Sequence, residues 1–429
     1  MKLNYKRTFL VGMAFLSICT FWQLYDSLIP LMLKNTFGFG ESTTGYIMAV
    51  DNVLALFMLP LFGHLSDRTH TKLGKRTPYI LVGTIVSVFA MMLLPIFDNS
   101  VNQFGFALAL GMVLLSMATY RSPAVSLMPD VTPKKLRSKG NAVINLMGAV
   151  GGVIALGLIA VLVPKEGKPN YLPIFAIVAA IMLGSVVLLV LTVRENKLVE
   201  EMEATGGYES TEEELNEELS KGKKMPKDIL KSLIFMLLCI GFFFIGYNAV
   251  TTFFSLYMTN YLGLTGGGFA GYLMVATVSS VICYLPSGFI ATKFGRKKAI
   301  MIGLGVMAAC FAIMAFFKSA GLYMIPFFVV IGFGYACVIV NTFPIIWEMS
   351  KGSDIGKYTG YYYTASMAAQ VITPIVAGYF IEDLENYGIL FPYAVVAMIL
   401  SFAMLTQVRH GDSRPEKVDK AEVLAGGED

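Results

Sequence analysis

Four charged side chains stand inside long apolar runs: Asp26, Asp51, Arg121 and Glu348. Placing such a charge in hydrocarbon costs about 2.5–3.5 kcal/mol, so each is a functional candidate by default. Asp26 and Asp51 lie near the outer ends of the first two runs, at depths of about 10 and about 9 Å for a rise of ~1.5 Å per residue. Two carboxylates at similar depth on neighbouring helices cannot both ionise cheaply, which suits a site that carries a proton. The alternative is two separate acids, each satisfied by water or a backbone group. Asp26 has Trp22, Gln23 and Tyr25 around it. Trp22 and Asp26 are four apart and share a helix face. A ring beside a hydrogen-bonding carboxylate is a way to hold the apolar face and the hydroxyls of a sugar.

Arg121 follows Tyr120 in the fourth run, and Glu348 follows Trp347 at the inner end of the tenth. A lone arginine at such depth needs an acid or an anionic ligand. Both side chains are long enough for an Arg121–Glu348 pair, which would act as an inner gate; a contact of Arg121 with substrate and local packing are the other readings. Asn145 and Gln370 are the best deep neutral donors, with Asn141 and Tyr361 closer to the interface and Tyr362 and Tyr363 beside Tyr361. Gly148, Gly151 and Gly152 suit close helix packing in lipid. Metal and acid–base chemistry has little to use. The histidines are His64, His70 and His410, and Cys19, Cys239, Cys283, Cys310 and Cys337 all sit in apolar runs without metal spacing. No metal site and no cofactor is expected.

The elements that must position these groups are membrane helices. Of 429 residues, 56% are hydrophobic and 14% charged, and the mean hydropathy is +0.66. That is roughly half the charge of a soluble domain, which averages about 25%. Twelve runs are near the ~20 residues a helix needs to cross a bilayer: 8–33, 45–66, 78–96, 104–129, 141–163, 172–194, 230–258, 269–291, 299–317, 321–347, 359–381 and 388–408. The first is too long for a signal peptide and is read as a retained span. The expected organisation is a six-helix bundle over 1–194, a central loop over 195–229, a second bundle over 230–408 and a tail over 409–429. Ser210 and Glu213 have capping-box spacing, which suggests a surface helix in the acidic central loop. Of 33 Lys and Arg, Lys34, Lys165, Lys168 and Lys318 fall on one side and Arg121 inside a span, leaving 28 on the other side. The positive-inside rule then puts both termini in the cytoplasm of a cell membrane, and the net charge of +4 is an orientation signal with no bearing on nucleic acid.

The halves repeat each other. Tyr25-Asp26 matches Tyr247-Asn248; Gly45-Tyr46-Ile47-Met48 matches Gly271-Tyr272-Leu273-Met274; Gly111 and Pro123 match Gly332 and Pro344; Gly74-Lys75-Arg76 matches Gly295-Arg296-Lys297-Lys298. Parallel repeats of this kind place substrate near the midplane. Gly63-His64-Leu65-Ser66-Asp67-Arg68, followed by Gly74-Lys75-Arg76, resembles the loop signature of the major facilitator superfamily. The stretch from Ser66 to Ile80 is similar to the glycoside–pentoside–hexuronide symporters and to sucrose/maltose proton symporters, and Pro123 to Pro129 also resembles the first of these. The resemblance implies a twelve-helix, all-α transporter working by alternating access, with Asp67 and Arg68 in contacts that hold the inner side closed. Arg137 is a candidate partner for Asp67, a solvated loop charge the other reading. Lys75, Arg76, Lys297 and Lys298 are read as orientation determinants.

The chain departs from the symporters where they build a cation site. The two acids of the second span fall at Ala55 and Leu59, and the acid of the fourth at Arg121. A sodium site of that type is therefore not expected, while proton coupling through Asp26 or Asp51 remains open. The expected partners are a small-molecule substrate, read as a sugar, with protons and the bilayer, and the chain is read as a monomer. Import of sugar by proton symport leads; drug or metabolite efflux by proton antiport is the alternative. A membrane enzyme would need a nucleophile–base pair or metal ligands near the interface, and no G-x-x-x-x-G-K-[ST] for an ATP-driven pump occurs.

Overall fold

The structure, a computed structural model, describes residues 3–133, 136–204, 226–349 and 355–412. The proposed surface helix near Ser210 and Glu213 lies outside the described residues. Every element among them is helical. The first half contains α1 (Tyr5–Asn35), α2 (Glu41–Asp67), α3 (Thr77–Asn99), α4 (Gln103–Asp130), α5 (Arg137–Leu162) and α6 (Leu172–Thr192), followed by the short α7 (Glu195–Ala204). The second contains α8 (Lys227–Leu256), which runs on into a π turn, α9 (Gly268–Phe294), α10 (Arg296–Met314), α11 (Ile325–Met349), α12 (Ile355–Asp383) and α13 (Leu390–Thr406). Apart from α7, all twelve match the expected spans and are long and apolar enough to cross a membrane.

The helices outrun their apolar cores because their ends are capped. Asn4 accepts the amide of Arg7 at 3.1 Å and starts α1 three residues before the apolar run; Asn102 accepts the amide of Gly105 at 2.9 Å and starts α4. Pro78 sits in the first turn of α3, where its missing N–H costs nothing. Pro123 and Pro344 lie inside α4 and α11 and locally interrupt the ladders of the helices that carry Arg121 and Glu348.

Packing divides the chain into two units. One contains residues 1–39, 50–209 and 265–274; the other contains 40–49, 210–264 and 275–429. The units therefore cut across the sequence halves: the first turns of α2 pack with the second unit and those of α9 with the first. Within the first unit α1 is central and packs closely on α5. A Cβ at Gly151 would lie 2.4 Å from the Leu16 carbonyl oxygen, and one at Gly148 would lie 2.9 Å from Cys19 Sγ. Only glycine allows that approach. Within the second unit α10 and α11 meet in the same way, a Cβ at Gly303 falling 2.6 Å from the Gly334 oxygen.

Candidate functional site

Because α1 is central, almost all of it is covered. From Ala14 to Leu33 only Cys19, Trp22, Gln23 and Asp26 retain partial accessibility. Their spacing is i, i+3, i+4, i+7, a single stripe along the helix. Trp22, Gln23 and Asp26 thus share one accessible face, as their spacing foretold for Trp22 and Asp26. Tyr25 falls off the stripe at 1% exposure. Its ring instead packs edge-on against Trp22, centroids 5.4 Å apart, and Phe21 closes on Trp22 from the other side at 5.2 Å. Trp22 Nε1 and the Tyr25 hydroxyl are buried with no hydrogen-bond partner among the described residues. Gln23 Nε2 donates to Ser27 Oγ at 3.3 Å.

Arg121 of α4 comes to this stripe. Its guanidinium carbon stands 5.7 Å from the centre of the Trp22 ring, a cation–π contact worth about 0.5–1 kcal/mol exposed and ~2 when desolvated. Asp26 lies within Coulombic range of both Asp51 and Arg121, and Asp51 within range of Arg121. Asn52 Nδ2 donates to Asp51 at 2.9 Å. The two acids and the arginine, brought from α2, α1 and α4, form one charged trio beside an aromatic ring. Asn145 is half-buried on α5, whose glycines face α1. Tyr120 is fully buried: a Cβ at Gly83 would lie 2.5 Å from its own Cβ, so it wedges α4 against α3.

In the second unit Tyr247 and Asn248 are half-buried on α8. Tyr247 lies 4.7 Å from Tyr335 of α11 and stacks at 5.9 Å on Phe243. Gln370 is half-buried and donates to Ser366 at 3.2 Å. Tyr362 is fully buried and packs on Phe343 with centroids 4.0 Å apart. Trp347 is 41% exposed. Glu348 accepts Arg296 Nη1 at 2.8 Å. Within its own unit each of these two residues has a partner, Trp22 for Arg121 and Arg296 for Glu348.

The basic ends of the helices, where the two glycine–basic clusters lie, hold a second set of charges. Asp67 binds Arg76 Nη2 instead of Arg137, and Arg137 Nε donates to the Thr132 carbonyl at 3.4 Å. Arg68 is exposed. Arg76, read from the sequence as an orientation charge, is only 5% exposed and centres a clamp. It also bonds Asp130 at 2.9 Å, with Lys75 on the same carboxylate at 3.1 Å, and donates to the Gly63 carbonyl at 3.1 Å.

Glu195 was not anticipated. It is 1% exposed and accepts the amides of Lys75 at 2.9 Å, Arg76 at 3.0 Å and Thr77 at 2.9 Å, with the Thr77 hydroxyl at 2.8 Å. A carboxylate at these orphan amides caps α3 and meets the positive end of its dipole. Gly74 makes room: its φ is +121°, and a Cβ there would lie 2.2 Å from Glu195 Oε2. The second half repeats the device. Gly295 has φ +97°, and Asp412, just past α13, accepts the Lys297 amide at 2.8 Å. The available signal was an acid shortly after the sixth span of each half.

A family model described as MFS/sugar transport protein matches residues 10–349. The chain belongs to that family. It is therefore a major facilitator family member, a multi-pass membrane protein and not an enzyme. Among curated relatives of this family member, the uncharacterized protein YqgE of Bacillus subtilis is 25% identical over 46% of this chain and 47% of its own length. The sucrose transport protein SUC3 of Arabidopsis thaliana is 25% identical over 31% of this chain and 25% of its own. The chain thus spans about half the length of the first and a quarter of the second. Among solved structures, a proton-dependent oligopeptide transporter superposes with a TM-score of 0.69 at 15% identity, covering 94% of this chain and 99% of that one. At that identity the likeness shows the fold.

Proposed function

We propose that this transporter imports sugars, oligosaccharides or glycosides, coupled to protons, by alternating access, with both termini in the cytoplasm and the monomer as the working unit. The observation that carries the reading is the accessible stripe of α1. It offers a tryptophan ring, an amide and a carboxylate on one face, the complement of a sugar's apolar side and its hydroxyls. The local likeness to a sucrose transport protein supports the same substrate class. Asp26, Asp51 and Arg121 serve the proton. With both acids ionised their formal charge is −1, and one proton makes the trio neutral. A neutral trio is cheaper to carry through the occluded, lipid-surrounded state than a charged one. Arg121 stands where the similar symporters have their third acid, so the trio holds its own cation and needs no sodium.

The test is uptake of a labelled sugar panel into proteoliposomes under an imposed pH gradient, comparing the wild type with Asp26→Asn and Asp51→Asn. Gradient-driven accumulation in the wild type and its loss in both variants is the expected result. Accumulation that survives in both would sink the coupling assignment, and extrusion in place of uptake would favour proton-antiport efflux.

A further inference from the structure

Each half ties its last stretch of chain to the start of its own first helix, and the two ties differ in kind. In the first unit α7 carries the tie, where Glu201 pairs with Arg7 at 3.2 Å. In the second unit the chain over residues 407–412, just past α13, takes that part. Arg7 stands 18 residues before Tyr25, and Asp228 stands 19 before Tyr247. Both ties therefore reach the same level of a first helix. The second one is a strap that touches the ends of three other helices. His410 Nδ1 lies 2.8 Å from Ser232 Oγ of α8, and Ser232 Oγ also accepts the Arg409 amide at 3.2 Å. A Cβ at Gly411 would lie 2.6 Å from the Ile345 carbonyl oxygen of α11. Asp412 accepts the Lys297 amide of α10 at 2.8 Å, and Lys297 Nζ returns to the Thr406 carbonyl at 3.1 Å.

The other ring nitrogen of His410 faces Asp228, with Nε2 and Oδ2 3.4 Å apart. That is longer than the ~2.7–3.2 Å of a good N–H···O bond, yet within ion-pair range, so the contact is strongest when the ring is charged. The partners suit both states of the ring. Neutral, Nδ1 accepts the Ser232 hydroxyl and the Nε2 proton points to Asp228. Protonated, Nδ1–H donates to Ser232 Oγ and the cation faces Asp228. No group has to move, so a proton changes the strength of the tie and leaves its geometry. The other charges around the ring are Arg409 and Asp412 on the strap, Lys227 and Lys231 on α8, Lys297 on α10 and the Arg296–Glu348 pair between α10 and α11; α13 carries none. Asp412 is held at the Lys297 amide, and Asp228 is the acid within ion-pair reach of the ring among the described residues.

We infer that His410 makes the strap of the second half a proton-operated tie: protonated, it fastens the chain after α13 to the start of α8, and deprotonated it lets that end of α8 loosen. Histidine is the side chain that ordinarily changes charge between pH 5 and 8. The tie of the first half rests on an arginine, which keeps its charge throughout, so the two halves respond differently to the same change of pH. The protonated state holds more tightly, so the strap gains hold as pH falls and loses it as pH rises. Acidification on the face that carries the chain ends thus stiffens α8, the helix of Tyr247 and Asn248. With side chains 36% and 69% exposed, His410 and Asp228 are screened by water, which limits the change in hold to about fivefold at most.

The test is amide hydrogen exchange of the full-length protein, read by mass spectrometry on peptides that contain the Arg409 amide, with each variant compared with the wild type at the same pH. At about pH 5.5 the strap of His410→Gln should exchange about three- to fivefold faster than that of the wild type, and at about pH 8 the two should be nearly equal. Asp228→Asn should give the same pattern from the other partner. His410→Arg, which copies the permanent charge of the first half, should keep the slow exchange at both pH values. A ratio of His410→Gln to wild type that is no larger at pH 5.5 than at pH 8 would overturn the inference. So would an Asp228→Asn protein that keeps the full pH dependence of the wild type, or a His410→Arg protein that loosens at pH 8. Should His410→Gln fail to fold, Asp228→Asn and His410→Arg decide. The readout involves no substrate, so failure here leaves the sugar reading standing.

Discussion

Asp51→Asn should turn a concentrating transporter into an equilibrating one. The structure places three ionisable side chains together, two acids and one arginine. With one proton bound they are neutral, so one positive charge enters with each substrate. Moving that charge through 100 mV is worth about 2.3 kcal/mol, and at about 1.4 kcal/mol per decade this drives an accumulation of about 50-fold. Asp51→Asn leaves Asp26 and Arg121, already neutral without a proton. Accumulation under a potassium diffusion potential of about 100 mV should then fall from ~50-fold to ~1, while exchange of internal for external substrate continues. Arg121→Gln has the opposite effect, since two acids without a cation need two protons. Its limiting accumulation rises to the square of the wild-type value. The assay is flux ratio against imposed potential in proteoliposomes with valinomycin. An Asp51→Asn protein that still accumulates substrate in step with the potential would refute the charge count.

Three further outcomes follow from contacts already described. Trp22→Leu removes the cation–π partner of Arg121 and should weaken transport affinity by about 0.5–2 kcal/mol, whereas Trp22→Phe should lose less; substrate KM in reconstituted uptake measures both. Arg76→Ala leaves Asp67 and Asp130 without their shared cation, and at about 3–5 kcal/mol for breaking a buried pair it should lower the detergent melting temperature and abolish transport, with Arg76→Lys recovering only part. Glu195→Gln and Gly74→Ala should each destabilise by about 1–3 kcal/mol, the first by weakening the α3 cap and the second by strain at positive φ. Thermal unfolding followed by a thiol-reactive dye or circular dichroism reads both.

The twelve spans were legible because apolar length alone decides them, and the repeat was legible because its glycines and prolines keep register. Trp22 and Asp26 were legible as a pair because helical periodicity puts residues four apart on one face. Tyr25 shows the limit of that reasoning: it neighbours Asp26 in sequence, but adjacent residues are 100° apart on a helix, and its ring is buried in the α1 core. Depth along a helix can be counted from sequence, but rotation about its axis cannot, and so Arg296 was not foreseen as a partner of Glu348. Glu195 and Asp130 drew no reading from the sequence, since nothing local shows which amides or guanidinium a folded chain will bring to them. Arg76 was taken for a topology charge for the same reason.

The two glycine-gated caps have a consequence for how the chain is tied together. Each six-helix run ends by returning an acid, Glu195 or Asp412, to the start of its own third helix. The chain is thus fastened back on itself before it leaves the bundle, like a seam locked at its last stitch. A break introduced between residues 205 and 225 would come after the first seam is locked and before the second half begins. The two fragments, made together in one membrane, should assemble and carry substrate, and recovery of one tagged fragment with the other checks it.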